Sequence, residues 1–346
     1  MQDETKIKVA VNGYGVIGKR VADAVAAQGD MRLVGVGDVT ADWRMRVAAE
    51  KGFAVFAASP ESRSAMSAAG ISIQGEFNDL LADADVVVDC TPKKVAAKNI
   101  ATYRAKGLKF IVQGGEAHES AGHSFVAEAN YASAVGLDAT RVVSCNTTSI
   151  VRTLTALKRR GLLRRARGTL LRRATDPWES HAGGIMNTLV PEKTIPSHQG
   201  PDAKTVDPEL DVITMAVMVP ETLAHLHYWA IQMTRPASRD EVLSAFAVSS
   251  RIALIRYADG LPALNVVKEL MADKGRPRDN LYEVALWSDM LRVEGDELFY
   301  AYMVDNQAIV IPETIDAVRA LTGRETDGDV SIRRTNEALG ISSILY

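Results

Sequence analysis

The feature that most constrains this chain is a GxGxxG motif, Gly13-Tyr14-Gly15-Val16-Ile17-Gly18, which follows a strand-like run and opens an Ala-rich helical run. In that context the motif binds a dinucleotide, because the glycines permit a tight turn and let the backbone approach a pyrophosphate. The helix start then offers N–H groups and a positive dipole end to the phosphates. The motif predicts cofactor contacts at Gly13, Gly15, Val16, Ile17 and Gly18. The alternative is a glycine-rich turn without a ligand.

Short Val- and Ile-rich runs alternate with helical runs over the first 144 residues. The strand-like runs are 7–11, 33–36, 85–89, 109–112 and 141–143, and the helical runs are 17–28 and 92–106. Continuous apolar strands separated by helices are typical of a parallel sheet covered on both faces. The sequence therefore predicts an α/β Rossmann-type domain with a doubly wound parallel sheet.

After residue 145 this alternation gives way to consecutive strand-like runs. They are 169–171, 211–219, 227–234, 282–287 and 298–304, with helical runs at 150–160 and 239–249. Strands that follow one another without regular helices indicate an α+β domain with a mostly antiparallel sheet. We assign 145–307 to this catalytic domain. We assign 1–144 and 308–346 to the dinucleotide-binding domain, because the helical run 312–321 can pack back on it.

The composition excludes several classes of protein. Forty Lys and Arg residues against 43 Asp and Glu give a net charge of −3, which argues against a polybasic nucleic-acid binder. The basic run 158–173 is interpreted mainly as a solvated face, since no aromatic residues interleave with it. The two cysteines form no CxxC pair, and no apolar run approaches the ~20 residues that span a bilayer. We expect a cytoplasmic protein without a nucleic-acid partner, a membrane segment or a metal.

Asp38 bears on the choice of cofactor. It lies 20 residues after Gly18, at the end of the second strand-like run. A carboxylate there accepts hydrogen bonds from a ribose 2′-hydroxyl and repels a 2′-phosphate. Asp38 therefore predicts that NAD is preferred over NADP. The alternative is a surface residue or the N-cap of the next helix.

The run Ser144-Cys145-Asn146-Thr147-Thr148-Ser149 lies between a strand and a helix. A cysteine at a helix N-terminus is expected to have a depressed pKa and to act as a nucleophile. Asn146 can donate to a developing oxyanion, and the hydroxyls and N–H groups that follow can bind an anionic substrate. The alternative is that Cys145 is a small buried apolar residue and that the hydroxyls cap the helix. Cys90 matches that inert alternative well.

These motifs carry a family resemblance. The segments GYGVIGKRVADAV, TPKK, IVQGGE, VVSCNTTS, LRRATDP, PSHQGPD and VPETLAHLH, in this order and spacing, resemble the archaeal-type glyceraldehyde-3-phosphate dehydrogenases. The resemblance extends from about Lys6 to beyond Pro312. It departs from the family pattern at two positions, Ser149 where Gly is usual and Gln199 where a second His is usual.

The resemblance implies roles for further residues. His225, 80 residues after Cys145, matches the catalytic partner that accepts the thiol proton or, as imidazolium, holds the thiolate. A metal ligand paired with His227, or a packing histidine, are the alternatives for His225. The implied substrate contacts are Ser144, Asn146, Thr147, His198 and Gln199. The implied cofactor contacts, besides the glycine motif and Asp38, are Gly115, Arg173 and Asn306.

The resemblance also implies an activity and an assembly. The expected reaction is oxidation of D-glyceraldehyde 3-phosphate with NAD or NADP and inorganic phosphate, through a Cys145 thiohemiacetal and thioester. The expected assembly is a homotetramer. Two alternatives differ in class: a semialdehyde or acyl-phosphate reductase of the aspartate-semialdehyde dehydrogenase type, and a dinucleotide-binding protein without turnover.

Overall fold

A computed structural model describes residues 6–113, 115–177 and 185–346. The chain forms two compact units, Met1–Val143 with Ile311–Gly340, and Ser144–Val310 with Ile341–Tyr346. The last six residues belong to the second unit because Leu345 is buried in a cluster with Leu261 and Trp287. The dinucleotide-binding domain predicted from the sequence includes 308–346, of which 308–310 and 341–346 lie in the second unit. None of the described helices is long and apolar enough to cross a membrane.

The first unit is built on a fully parallel sheet with the order β4-β3-β2-β1-β5-β6-β8-β7. Its strands are β1 (Ile7–Asn12), β2 (Met31–Asp38), β3 (Val55–Ala57), β4 (Gly75–Glu76), β5 (Val86–Asp89), β6 (Lys109–Gln113), β7 (Ser124–Phe125) and β8 (Ala139–Val142). The helices between them are α1 (Val16–Ala26), α2 (Trp43–Glu50), α3 (Pro60–Ala68), α4 (Phe77–Ala82), α5 (Ala96–Ala105) and α6 (Ala127–Ala134).

The strand order reverses between β1 and β5, which makes their carboxyl ends a topological switch point. Ligands of doubly wound sheets bind in the crevice at such a point. The Val runs of β1 and β5 are buried on both faces, as a sheet covered by helices on each side requires. The predicted Rossmann-type sheet is confirmed.

The second unit contains a mixed, mostly antiparallel sheet with the order β10-β11-β9-β12-β16-β14-β13, and β15 pairs with β16. Its strands are β9 (Leu163–Arg173), β10 (Val190–Pro191), β11 (Val212–Val219), β12 (His225–Met233), β13 (Ile252–Ile255), β14 (Val284–Trp287), β15 (Arg292–Glu294) and β16 (Glu297–Val304). Its helices are α7 (Cys145–Arg159), α8 (Gln199–Lys204), α9 (Arg239–Ala247) and α10 (Leu264–Asp273). Parallel pairing is confined to β9 with β11 and β13 with β14, so the predicted α+β domain is confirmed.

Two helices follow this sheet in the chain, α11 (Val310–Thr322) and α12 (Gly328–Leu339). Short 3₁₀ turns lie at His118–Ser120, Tyr257–Asp259, Pro277–Asp279 and Ser288–Met290. In the first unit, the Arg319 guanidinium of α11 pairs with Asp30 at 2.7 Å and donates to Gln28, which attaches α11 to the loop before β2.

Helix α7 starts at Cys145, whereas the periodicity predicted a helix only from residue 150. The Thr and Ser residues of its first turns are fully buried, and their hydroxyls bond within the helix: Ser149 donates to the Asn146 carbonyl at 2.8 Å, and Thr153 to the Ser149 carbonyl at 3.0 Å. Such local bonds and tertiary burial override the weak helix propensity of these residue types. The difference places Cys145 in the first turn of a helix.

Candidate active site

The cysteine lies at the start of α7, where Ser144 is the N-cap. The Ser144 backbone is extended and its Oγ accepts the Thr147 N–H at 3.3 Å. The Thr147 side chain is fully buried and donates to Asp202 Oδ2 at 2.6 Å. The Ser144 and Thr147 hydroxyls, predicted to contact substrate, are therefore already engaged within the protein.

His225 lies beside the thiol. Its Nε2 is 3.4 Å from Cys145 Sγ, and its Nδ1 accepts the Arg173 backbone N–H at 3.0 Å. Since Nδ1 is an acceptor, the neutral ring carries its proton on Nε2, facing the sulfur. The Asn146 Nδ2 is a second donor toward the sulfur, at 3.8 Å. The thiol therefore faces two N–H groups.

The expected depression of the Cys145 pKa is wrong. Burial raises the pKa of Cys145 to about 11, although Arg173, the Asn146 N–H and Arg172 each act to lower it. Burial, with positive neighbours, also holds the pKa of His225 well below its ordinary value. Desolvation outweighs the helix dipole and the cations here, so the pair rests as a thiol beside a neutral imidazole.

Arginine nitrogens near the thiol are available to an anion. Arg173 Nη2 bonds to Asp176 at 2.8 Å, but its buried Nε and Nη1 have no hydrogen-bond partner in the described ranges. Arg172 bonds to Glu192 through Nη1 at 3.0 Å, and its Nε has no partner within the same ranges. Buried guanidinium N–H groups without partners are costly unless a ligand satisfies them.

His198 and Gln199 occupy different environments. His198 is exposed and bonds to Glu192 Oε1 through both its backbone N–H and Nδ1, at 2.9 and 2.7 Å. Together with Arg172, Glu192 and Lys193 it lines a cleft of about 240 Å³. Gln199 is fully buried, and neither atom of its amide has a partner in the described part of the chain.

The glycine motif forms the turn from β1 into α1. Gly13 has a φ of +90°, which favours glycine, and a Cβ at Gly18 would overlap the Gly13 carbonyl oxygen. Gly15 is the N-cap of α1; it makes no side-chain cap, and a Cβ there would have nothing within 4 Å. Val16 and Ile17 are the first residues of α1. An uncapped helix start with open space beside its backbone suits a pyrophosphate.

The Asp38 carboxylate lies against this turn. Its Oδ2 accepts the Tyr14 N–H at 2.6 Å, and its Oδ1 accepts the Thr40 N–H at 2.9 Å. It does not cap the next helix, because Asp42 is the N-cap of α2. Arg44 is bound by Asp42 through two nitrogens, so most of its charge is already compensated.

The other predicted cofactor residues lie in both units. Gly115 is exposed and follows β6 closely. In the second unit, Asn306 is buried and its Oδ1 has no hydrogen-bond partner among the described residues. Sequence reasoning missed the neighbouring bond from Gln307 Nε2 to Asp176 Oδ1, at 2.5 Å, on the carboxylate that also binds Arg173. The position of Gln307 beside Asn306 was the only signal for it.

The two histidines of β12 do not form a metal site with a third ligand. Both ring nitrogens of His227 are engaged, by Tyr302 and by Asn146. Within the described ranges, no group of three or more His, Cys, Asp or Glu side chains is arranged to hold a metal ion.

A Rossmann-type unit and a Cys–His pair on an α+β unit are the features of a dinucleotide-dependent dehydrogenase. The family pattern "Glyceraldehyde 3-phosphate dehydrogenase, C-terminal domain" matches residues 144–273, and "Dihydrodipicolinate reductase, N-terminus" matches residues 7–135. Proteins named glyceraldehyde-3-phosphate dehydrogenase from Methanothermobacter thermautotrophicus, Archaeoglobus fulgidus and Thermococcus kodakarensis are 43%, 45% and 44% identical. The alignments cover 97%, 98% and 97% of this chain and 99% of each relative. The chain belongs to the archaeal-type glyceraldehyde-3-phosphate dehydrogenase family.

Proposed function

We propose that the chain oxidises D-glyceraldehyde 3-phosphate to 1,3-bisphosphoglycerate with a nicotinamide dinucleotide and inorganic phosphate. The observation that carries the proposal is the 3.4 Å approach of Cys145 Sγ to His225 Nε2 in a chain of this family. Nucleophile and partner within hydrogen-bond reach, with the partner oriented by a third group, are the signature of covalent catalysis. The third group here is the Arg173 N–H.

The first step is addition of the Cys145 thiolate to the aldehyde carbon. The thiol proton goes to solvent, because Nε2 of His225 already carries a proton. As the C–S bond forms, the carbonyl electron pair moves to oxygen, where the N–H groups of His225 and Asn146 are the donors that can stabilise it. Cys145 as a whole residue is only partly buried, which supports access of a substrate to it.

The second step breaks the C–H bond of this thiohemiacetal. A nicotinamide dinucleotide held at the glycine motif would supply the redox chemistry of this step by accepting the hydride. The C=O bond re-forms and leaves a thioester on Cys145. Phosphate oxygen then attacks the thioester carbon, the C–S bond breaks, and the acyl phosphate leaves. The N–H groups of Arg173 that lack partners support binding of an anion during these steps.

The test is reduction of NAD, followed by absorbance, with glyceraldehyde 3-phosphate in the presence and absence of phosphate or arsenate. Turnover that requires one of these anions supports the proposal. Multiple turnover without either anion contradicts the phosphorylating reaction. A panel with aspartate semialdehyde tests the reductase alternative, because its substrate carries a carboxylate and an amine instead of a phosphate.

The proposal extends to cofactor choice. Asp38 bonds to the backbone of the glycine turn and would accept bonds from the adenosine ribose of NAD, whereas a 2′-phosphate would bring two like charges within a few Å. That repulsion costs on the order of 1–4 kcal/mol, which is about ten- to several-hundred-fold in affinity. We expect kcat/KM to favour NAD, and Asp38→Ala to raise NADP use more than it lowers NAD use. A wild-type preference for NADP contradicts this assignment.

Assembly and location belong to the same proposal. Met215 on β11, Tyr228 on β12 and Phe299 on β16 are exposed apolar side chains of the second sheet. Strands β12 and β16 are neighbours, and β9 lies between β11 and β12. Exposed apolar side chains on one sheet support self-association. We propose that the assembly is a homotetramer. Sedimentation equilibrium tests this assembly, and a monomer at micromolar concentration contradicts it.

The location that we propose is the cytoplasm. The unpaired thiols Cys90 and Cys145 support a reducing compartment of this kind.

A further inference from the structure

The second histidine of β12, His227, is fully buried and is connected to the cysteine through Asn146. Its Nε2 is 2.8 Å from Asn146 Oδ1, and its Nδ1 is 2.9 Å from Tyr302 Oη. His227 and Tyr302 are directly opposite in the antiparallel pairing of β12 with β16, and their rings are 4.9 Å apart. The connection is therefore built by the sheet register.

The hydrogen bonds from Tyr302 to His227 and from His227 to Asn146 both have their donors on the side away from Asn146. An amide oxygen only accepts, so His227 Nε2 donates to Asn146 Oδ1. Burial lowers the pKa of His227 to about 3, so the ring is neutral and its Nδ1 accepts. Tyr302 Oη has one proton and lies 2.9 Å from Nδ1 and 3.3 Å from Ser149 Oγ, so we assign its donation to Nδ1, the nearer acceptor. Each donor points toward Asn146, and such a series is strengthened by mutual polarisation.

The consequence for Asn146 is a fixed amide orientation. With Oδ1 bound by His227, Nδ2 is the end that faces Cys145 Sγ at 3.8 Å. The reversed orientation would turn an acceptor toward the thiolate and leave the His227 N–H facing an NH₂ group. Ser149, where the family usually has Gly, adds a bond of 2.8 Å from its hydroxyl to the Asn146 carbonyl. Both the amide and the backbone of Asn146 are therefore held.

We propose that His227 and Tyr302 are positioning residues that hold the Asn146 amide as a hydrogen-bond donor to the Cys145 thiolate and to the thiohemiacetal oxygen. This inference rests on the proposed function for the second of those roles. Among the described residues, the hydrogen-bond donors at the sulfur are His225 and Asn146, so the route that we propose for His227 and Tyr302 is through Asn146. His227 also helps to lower the pKa of His225, and the double variant described below separates that effect from the route through Asn146. Their effect belongs to kcat and to thiol reactivity, and KM is unaffected.

The experiment compares Tyr302→Phe with Tyr300→Phe. Tyr300→Phe removes the same hydroxyl group from the same strand, but Tyr300 lies opposite Trp229 instead of His227. We expect Tyr302→Phe to lower kcat about three- to tenfold, near the effect of one lost neutral hydrogen bond, with KM within twofold. Tyr300→Phe should leave both constants within twofold. Equal losses in the two variants would overturn the proposal.

A double-mutant cycle tests whether His227 acts through Asn146. We expect His227→Leu and Asn146→Ala each to lower kcat by about 10²–10³, the usual effect of losing an oxyanion donor. The double variant should lose no more than Asn146→Ala alone, because the effects share one route. His227→Gln, whose amide can still donate to Asn146, should recover at least tenfold over His227→Leu. Additive losses, or no recovery by Gln, would overturn the proposal.

The rate of iodoacetamide alkylation of Cys145 separates this inference from the proposed function. It needs no substrate, so it reports on the thiolate even if glyceraldehyde 3-phosphate is not turned over. Loss of the Asn146 donor should slow alkylation at pH 8 in Tyr302→Phe and His227→Leu but leave Tyr300→Phe unchanged. Unchanged alkylation in all three folded variants would overturn the positioning role, whereas absent turnover in the wild type would contradict only the proposed function.

Discussion

The turn into α1 and the turn into α7 both lead a parallel strand into a helix, but only the second helix has an N-cap side chain that binds a first-turn N–H group. At α1 the N-cap is Gly15, which offers no side chain to the first-turn N–H groups. At α7 the N-cap Ser144 binds the Thr147 N–H, and Asn146 and Thr147 are engaged by His227 and Asp202. The first helix start has no side-chain cap, and the second holds a thiol beside the N–H groups of His225 and Asn146.

The comparison shows that a helix N-terminus does not by itself activate a thiol. At α7 the dipole and two arginines act to lower the pKa of Cys145, yet burial raises it. A pyrophosphate at α1 would arrive with its charge already formed, whereas the thiol must lose a proton in a desolvated site. The N-terminus of α1 therefore favours the binding of an anion by itself, whereas the thiolate form of Cys145 at α7 needs additional hydrogen-bond donors.

Replacement of Cys145, the proposed nucleophile, should lower turnover more than any other change considered. It should leave the binding of NAD at the turn into α1 unaffected. Cys145→Ser should lower turnover by at least about 10⁴-fold, because a hydroxyl is a far weaker nucleophile near neutral pH. The dissociation constant for NAD, measured by calorimetry, should stay within threefold. Cys90→Ala, the matched thiol control, should retain turnover. Loss of activity in Cys90→Ala with retention in Cys145→Ser would reverse the assignment.

The next effect is that of His225. His225→Asn should lower turnover by about 10²–10⁴-fold, the usual contribution of a positioned acid or base. The change removes an N–H that faces the sulfur from 3.4 Å, so alkylation of Cys145 near pH 7 should also slow. Substrate affinity should change much less, as steady-state kinetics can measure. Near wild-type turnover would mean that the donor at the sulfur is dispensable.

The sequence predicted those parts of the site that depend on local pattern. The glycine turn was recognisable because a motif in a strand-to-helix context needs only neighbouring residues. The pairing of Cys145 with His225 was predicted because the motif segments resemble a known family, whose catalytic pair has the same 80-residue spacing. The start of α7 was missed because Thr and Ser have weak helix propensity, and their buried hydrogen bonds depend on tertiary packing.

Two other features required the fold itself. The direction of the Cys145 pKa shift depends on burial, which no spacing reveals. The role of His227 depends on its pairing with Tyr302, 75 residues away in the chain. In the sequence, His227 is only the second histidine of an HxH pair with His225, for which a metal site and a packing role were the alternatives, the packing role being the more serious of the two. Long-range pairing decides such roles, and a single sequence does not contain it.

The pH dependence of the alkylation of Cys145 by iodoacetamide tests whether the thiol at the start of α7 is protonated near neutral pH. With a thiol pKa of about 11, the thiolate fraction of free Cys145 should rise about tenfold per pH unit, so the iodoacetamide rate should rise about 100-fold from pH 7 to pH 9. Cys90 should react more slowly, because burial and Asp89 hold its pKa well above the ordinary value. Peptide mapping by mass spectrometry identifies the labelled thiol. A rate that is flat from pH 6 to pH 8 would indicate a preformed thiolate–imidazolium pair.

The smallest effect concerns the turn into α1. It distinguishes a glycine that leaves space for a ligand, Gly15, from a glycine that is needed for close packing within the protein, Gly18. A Cβ at Gly15 meets nothing within 4 Å, so Gly15→Ala should cost only the N-cap preference for Gly over Ala, about 1 kcal/mol, and lower the melting temperature by about 4 °C at most. If a pyrophosphate lies against that backbone, the added methyl group should weaken NAD binding about tenfold, measured by calorimetry. Gly18→Ala is the matched contrast: its Cβ would overlap the Gly13 carbonyl oxygen, so the free protein itself should lose about 1–3 kcal/mol of stability. Unchanged NAD affinity in Gly15→Ala would place the pyrophosphate elsewhere and remove the contrast between the two turns.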